Sequence, residues 1–313
     1  MRAETTPDAF RHEAFFYAGE DEFLAGTLQF TRDALAADEP VLVAVREDKI
    51  RMLRSELGRD SERVEFVDMA EVGENPARLI PVWREFVDRH AGRGSMVRGI
   101  GEPAWPGRTD AELAECRRHE SLLNVAFAGA PAWWLLCPYD AEGLGEEILM
   151  EAKLTHPQIA EHGTVHDSPA YDPQAAERPF EGALPESPDG AKELRFTGDR
   201  VAAVRHFVSA FADHAGLASD RVADLALAVN ELATNSTRHA DGNGIVRVWR
   251  ENGTLLCEVE DAGRIEDPLA GRQRPAPDPG DGRGLWFVNQ VCDLVQIRSL
   301  AGRTAVRLHI RLA

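Results

Sequence analysis

Asn230-Glu231-Leu232-Ala233-Thr234-Asn235-Ser236 lies within Asp220 to His239, a run that reads as a helix with an acidic first turn, ending near Ala240-Asp241-Gly242. Glu231 and Asn235 stand at i and i+4, so their side chains leave one face about one turn apart. The pair divides labour. An amide oxygen suits Mg²⁺, a hard ion that prefers oxygen donors, and a carboxylate suits orienting or deprotonating a hydroxyl. A solvated helix face has the same composition, so the stretch acquires meaning only from its partners further along the chain.

There are two such partners. Glu260-Asp261-Ala262-Gly263 ends a predicted strand. A strand-end carboxylate accepts a hydrogen bond from an adenine amino group, and a nearby glycine lets the base approach the backbone. Gly280-Asp281-Gly282-Arg283-Gly284-Leu285-Trp286-Phe287-Val288 carries a Pro-rich loop into a short apolar helix. Successive glycines let backbone N–H groups converge on phosphate oxygens at a helix start. This is not a dinucleotide fingerprint, because the third glycine comes one residue early and no strand immediately precedes it. Around these motifs, Glu193 to Phe196, Ile245 to Arg250, Thr254 to Glu260, Leu294 to Arg298 and Thr304 to Arg311 read as strands. Asn252-Gly253 is a hairpin turn, and Asp199 to His214 is helical. The pattern predicts an α/β sandwich with a mainly antiparallel sheet, one face covered by helices.

The succession resembles the GHKL (Bergerat-fold) ATPases, and within them the anti-sigma-factor serine kinases, over about residues 190–313. The resemblance implies that Asn235 holds Mg²⁺ and that Glu231 is the base-like catalytic residue. It implies that Asp261 and Gly263 frame adenine, with Thr304 supporting that side. Gly280, Gly282 and Gly284, together with Arg283 and Leu285, would close on the phosphates, and Arg238 would meet phosphate one turn beyond Asn235. The implied activity is ATP-dependent phosphorylation of serine or threonine on a STAS-type anti-anti-sigma partner. A bound sigma factor, a homodimer, and ATP and Mg²⁺ as cofactors are implied with it. In two places the chain departs from the family pattern: Arg264-Ile265 replaces a second glycine, and Glu266 to Pro279 makes a short, Pro-rich lid. A stiff lid lowers turnover while leaving binding intact, so a non-catalytic nucleotide switch is the alternative. A histidine kinase fits less well, since His156, His162 and His166 lie among Pro and Gly without a long amphipathic helix.

The other half alternates strand-like and helix-like segments. Ala14 to Tyr17, Val41 to Val45, Val64 to Val67 and Ala132 to Cys137 read as buried strands. Asp21 to Ala36, Pro76 to His90 and Asp110 to Ala128 read as helices, which predicts a doubly wound α/β layer. After the first strand comes Ala18-Gly19-Glu20-Asp21-Glu22, whose three carboxylates exclude a phosphate loop. This half resembles the MEDS family of sensory domains, similar to a degenerate RecA-type ATPase, over about residues 10–160. The carrying features are His12 with Phe15-Phe16-Tyr17, the helix from Glu115 to Asn124, Cys137-Pro138-Tyr139-Asp140-Ala141 and Thr155-His156-Pro157. It implies signal input. The expected organisation is a sensory domain over 1–155, a Pro-rich extended linker over 156–190 and an ATPase domain over 191–313.

Charge separates the halves. Of 35 basic and 53 acidic residues in the 313, residues 190–313 hold 16 of each, so the whole net charge of −18 falls on residues 1–189. That balance argues against direct nucleic-acid binding, which needs clustered Lys and Arg. Cys116, Cys137, Cys257 and Cys292 have no paired spacing, so free thiols in a reducing cytoplasm are expected. His12, Cys116 and His119 could collect a metal, but no ligand spacing demands it, and core packing and solvent exposure are the favoured readings. No apolar run approaches the roughly 20 residues that span a bilayer, so no membrane contact is expected.

Overall fold

The computed structural model describes residues 10–91, 95–161, 163–174, 180–275, 282–300 and 302–312. The chain divides into two units, Met1–Glu177 and Arg178–Ala313.

In the first unit, β1 (Phe10–Tyr17), β2 (Val41–Val45), β3 (Val64–Asp68), β4 (Val97–Gly101), β5 (Trp133–Asp140), β6 (Gln158–Glu161) and β7 (Thr164–Asp167) form one sheet. Its order is β3-β2-β4-β5-β1-β6-β7, parallel throughout except for the β6–β7 hairpin. Parallel strands are covered on both faces, and Val-Leu-Val-Ala-Val of β2 is buried at every position. The connecting helices are α1 (Gly19–Ala36), α2 (Glu47–Leu57), α3 (Met69–Val72), α4 (Leu79–His90), α5 (Asp110–Ala126) and α6 (Glu146–Thr155). Thr109 and Glu112 start α5 with a reciprocal capping box, which fixes the helix that supplies Glu120.

Two parts of this sheet differ from the sequence reading. The strand β4 is not among the predicted strands, because Val-Arg-Gly-Ile-Gly carries two glycines where a strand favours branched residues. Packing explains them: a Cβ on Gly101 would stand 2.7 Å from Trp83 Cζ2, and one on Gly99 would stand 3.0 Å from Leu135 Cδ1. The extended linker expected from residue 156 does not begin there. Residues 158–167 extend the sheet, with Glu13 paired to Gln158 and β7 folding back on β6. Four-residue strands with one buried residue, Ile159, leave almost no period to read.

In the second unit, β8 (Lys192–Thr197), β9 (Asn243–Glu251), β10 (Thr254–Asp261), β11 (Leu294–Leu300) and β12 (Arg303–Arg311) form an antiparallel sheet in the order β11-β12-β10-β9-β8. Asn252 and Gly253 both take positive φ, 46° and 76°, as a two-residue hairpin turn requires. The helices are α7 (Val201–His214), α8 (Ser219–His239) and α9 (Arg283–Val291). The long α8 packs against α7 and α9 and over β9 and β10. Its buried stripe of Val222, Leu225, Val229, Leu232, Ala233 and Ser236 repeats at helical spacing and meets Val246, Val248, Leu255, Cys257 and Val259 of the sheet. With that stripe inside, Glu231 and Asn235 stand half-buried at its margin. The unit is the predicted α/β sandwich.

Candidate functional site

Strand register builds one end of the site. Asp261 is the last residue of β10, and pairing sets it opposite Thr304 of β12. Ser236, next to Asn235 but on the buried side of α8, donates its hydroxyl to Asp261 Oδ2 at 2.6 Å. The Gly263 N–H donates to Asp261 Oδ1 at 2.7 Å. Each carboxylate oxygen keeps a further lone pair, so Asp261 is oriented and still able to accept. The Gly263 carbonyl accepts from Thr304 Oγ1 at 2.8 Å, and Thr304 Oγ1 shares a hydrogen bond with Ser299 Oγ at 2.7 Å. Ser299 Oγ in turn accepts the Ile265 N–H at 2.8 Å. This chain of bonds fixes the turn that leaves β10. Gly263 has no room for a side chain: a Cβ would lie 2.9 Å from Asp261 Oδ1 and 3.2 Å from Ala240 Cβ.

Glycine geometry builds the other end. Gly282 takes φ 102° at the start of α9, and among the described residues no side chain caps the helix. An uncapped helix start concentrates N–H donors and positive dipole, which suits an anion. Gly284, in the first turn, faces α8. A Cβ there would stand 3.0 Å from Glu231 Oε2 and 3.3 Å from Asn235 Nδ2. The helix start and the Glu231–Asn235 row therefore approach as closely as a missing side chain permits. Behind them, Gly271 at φ 72° offers its carbonyl to Asn289 Nδ2 at 3.0 Å, tying the loop after β10 to α9.

Between the two ends lies a cavity of about 650 Å³, a volume in the range of small-ligand pockets. Glu231, Asn235, Arg238, Asp261, Gly263, Gly282, Arg283, Gly284, Leu285 and Thr304 all line it. Gly280 lies outside the described residues. Sequence reasoning missed Ser236, Ser299 and Ile265. Ser236 carried a usable signal, since its place in the apolar stripe of α8 makes a buried hydroxyl that needs a partner. Ser299 and Ile265 carried none, because their bond depends on tertiary contact.

The cavity suits a magnesium-bound purine nucleotide in three respects. It has an oriented carboxylate at one end, a helix start without a side-chain cap among the described residues at the other, and an amide and a carboxylate beside that start at a glycine-sized gap. The first unit offers no such cradle in the turn after β1. There the Ala18 N–H, which a phosphate loop would present to its ligand, is taken by Glu22 Oε2 at 2.8 Å.

Fold and cleft together define an ATPase-type domain that follows a mostly parallel α/β domain in the chain. Residues 11–157 match the profile of the MEDS, MEthanogen/methylotroph, DcmR Sensory domain, and residues 194–310 match that of the Histidine kinase-like ATPase domain. The chain carries a MEDS sensory domain followed by a histidine kinase-like ATPase domain. Among solved structures it is similar to the RsbU and RsbW domains of Rv1364c from Mycobacterium tuberculosis, at 20% identity and a TM-score of 0.30 over 39% of this chain and 32% of that one. It thus spans about a third of that protein's chain. It is also similar to the SiaB-SiaC complex from Pseudomonas aeruginosa, at 13% identity and a TM-score of 0.30 over 37% of this chain and 88% of that one. A search of curated proteins finds no match. The ATPase domain implies ATP as the ligand of the cleft. Among the described residues no helix is long and apolar enough to cross a membrane.

Proposed function

We propose that the second unit is a protein serine/threonine kinase that binds Mg-ATP and phosphorylates a STAS-type anti-anti-sigma partner, with the MEDS domain as its input. The observation that supports this most is the gap at Gly284, which sets an uncapped helix start against Glu231 and Asn235. Asp261, held by Ser236 and Gly263, accepts the adenine amino group, and Thr304 stiffens that turn. The backbone of Gly282 and Gly284 meets the phosphates, aided by Arg238 and Arg283. Asn235 holds Mg²⁺ through its amide oxygen. Bound there, Mg²⁺ would supply positive charge beside the phosphate oxygens. Glu231 orients the acceptor hydroxyl and takes its proton as the phosphoryl group passes to that oxygen and ADP leaves.

The wider reading includes sequestration of a sigma factor, a homodimer and a cytoplasmic setting. Its support is the succession of motifs over residues 190–313, the family match and, for the setting, four buried cysteines that form no disulfide among the described residues. Phosphotransfer from γ-labelled ATP to co-purified STAS proteins tests it. Glu231→Gln and Asn235→Ala are expected to abolish transfer, and unchanged transfer in both removes these assignments. A non-catalytic switch is the second reading. It draws on Arg264-Ile265, where the Ile265 N–H is pinned to Ser299 and a flexible glycine is missing. Tight ATP binding without any phosphoacceptor favours it.

A further inference from the structure

A second cluster lies in the MEDS domain. His12 on β1, Glu120 on α5, Cys137 on β5 and His156 at the end of α6 are all buried, with one ligand atom from each within 4.8 Å of the others. Strand register explains part of it. Ala14 pairs with Cys137, so His12, two residues before Ala14, projects on the same side of the sheet as Cys137. Helices α5 and α6 pack on one another and deliver the other two residues.

The hydrogen bonds around the cluster assign the ring nitrogens. Asn124 Nδ2 donates to the Thr155 carbonyl at 2.9 Å, so its Oδ1 is the atom 3.2 Å from His12 Nδ1. His12 Nδ1 therefore carries the proton. His156 Nδ1 lies 2.8 Å from the Ala152 carbonyl, which only accepts, so it carries the proton too. In the neutral rings with Nδ1 protonated, both Nε2 lone pairs face Glu120 Oε2, at 3.0 Å and 3.3 Å. Cys137 Sγ stands 3.5 Å from His12 Nε2 and 3.5 Å from Glu120 Oε2. Buried inside this set, His156 Nε2 and Glu120 Oε1 make no hydrogen bond.

Such an arrangement is short of a cation. Two imidazole lone pairs aimed at a carboxylate repel it, and burial forbids water from separating them. Four donors around a tetrahedral ion at the usual bond lengths lie about 3.3–3.8 Å apart. Four of the six separations, 3.0, 3.3, 3.5 and 3.5 Å, lie close to that spacing, and all six fall within 4.8 Å. Outer partners on both ring N–H groups are the arrangement that fixes metal-binding histidines.

The geometry points to a closed tetrahedral site for a divalent transition-metal ion of the Zn²⁺ type, bound by His12 Nε2, His156 Nε2, Glu120 Oε2 and Cys137 Sγ. The thiol proton leaves to solvent as the metal–sulfur bond forms, so one proton is released per ion. Three side-chain types and full burial make the site structural, with no open position for a reacting water. It ties the end of α6, from which β6 runs, to the centre of the sheet. Neither ATP binding nor phosphotransfer enters the argument.

The test uses the full chain, stripped with a chelator and then titrated with Co²⁺ or Zn²⁺. Uptake of about one ion per chain is expected, with intense tetrahedral Co²⁺ bands and a thiolate-to-metal band in the near ultraviolet. Cys137→Ser removes the thiolate band and Cys116→Ser keeps it. Asn124→Ala weakens affinity about 10–100-fold. Should Cys137→Ser not fold, hydrogen exchange on the wild type with and without Zn²⁺ decides instead. Protection gained around residues 12, 120, 137 and 156 supports the site. Folded, stripped protein that takes up no stoichiometric metal overturns it, as does a thiolate band that survives Cys137→Ser or protection gained only elsewhere.

Discussion

Gly284→Ala separates binding from folding in a single methyl group. Gly284 lies inside the first turn of α9, where alanine is favoured over glycine by up to about 1 kcal/mol. The added Cβ would lie 3.0 Å from Glu231 Oε2 and 3.3 Å from Asn235 Nδ2, where ordinary contact begins at 3.4 Å. The Glu231 carboxylate must retreat by about 0.4 Å, and it is half-buried, so it has room to move outward. Folding stability should therefore stay level or rise, by at most about 1 kcal/mol in urea denaturation. Mg-ATP affinity should fall roughly tenfold, about 1.4 kcal/mol, because the methyl occupies the approach between phosphates and metal ligand. Calorimetric titration with ATP at fixed Mg²⁺ measures this. Unchanged affinity in a folded variant refutes the idea that α9 and the Glu231–Asn235 row embrace the triphosphate. A stability loss well above 1 kcal/mol refutes the claim that the space is ligand space and not core.

The remaining predictions concern what holds the cleft and its sheet. Ser236→Ala removes a buried hydroxyl bonded to Asp261 and should cost about 1.5–3 kcal/mol in chemical denaturation, with weakened discrimination of adenine from guanine nucleotides. Gly271→Ala meets both a left-handed φ and a Cβ 2.8 Å from Leu285 Cβ, so a loss of about 2–4 kcal/mol is expected from the same assay. Arg307 bonds Glu258 at 2.6 Å with both residues buried, and Arg307→Met should destabilise by about 3 kcal/mol; adding Glu258→Gln should recover much of it. Burial raises the Glu260 pKa, but Arg247 and Arg303 outweigh burial and leave it lowered. A depressed carboxyl contributes stability above its unfolded value, near 4.5, that is lost as pH falls below it. The acid side of a Tm–pH profile should therefore be shallower in Glu260→Gln.

The sequence was most legible where one residue's role is set by local chemistry. Asp261 at a strand end, Gly284 at a helix start and the Glu231–Asn235 row were each readable, since each depends on an element's period or terminus. The antiparallel strands of the second unit were readable for the same reason, alternating over eight or nine residues around a positive-φ turn. The features that stayed hidden were set by distant packing. The strand β4 looks unlike a strand because Trp83 occupies the space its side chains would need. The β6–β7 hairpin is too short to show a period, and its proline-flanked start resembles a linker.

The His12–Glu120–Cys137–His156 cluster is the sharpest such case, because its members stand far apart in sequence, on two strands and two helices. Spacing rules for metal sites rely on ligands that share a turn or a hairpin, and here none do. All four nevertheless fall within the segments that carry the MEDS resemblance, where nothing in the sequence ties them to one another. The fold brings them together in an acceptor-rich pocket inside the sheet–helix layer, which a bound cation would stabilise. Removal of the proposed ion is therefore expected to lower the thermal stability of the first unit, read as a lower Tm after chelation and its recovery on adding Zn²⁺.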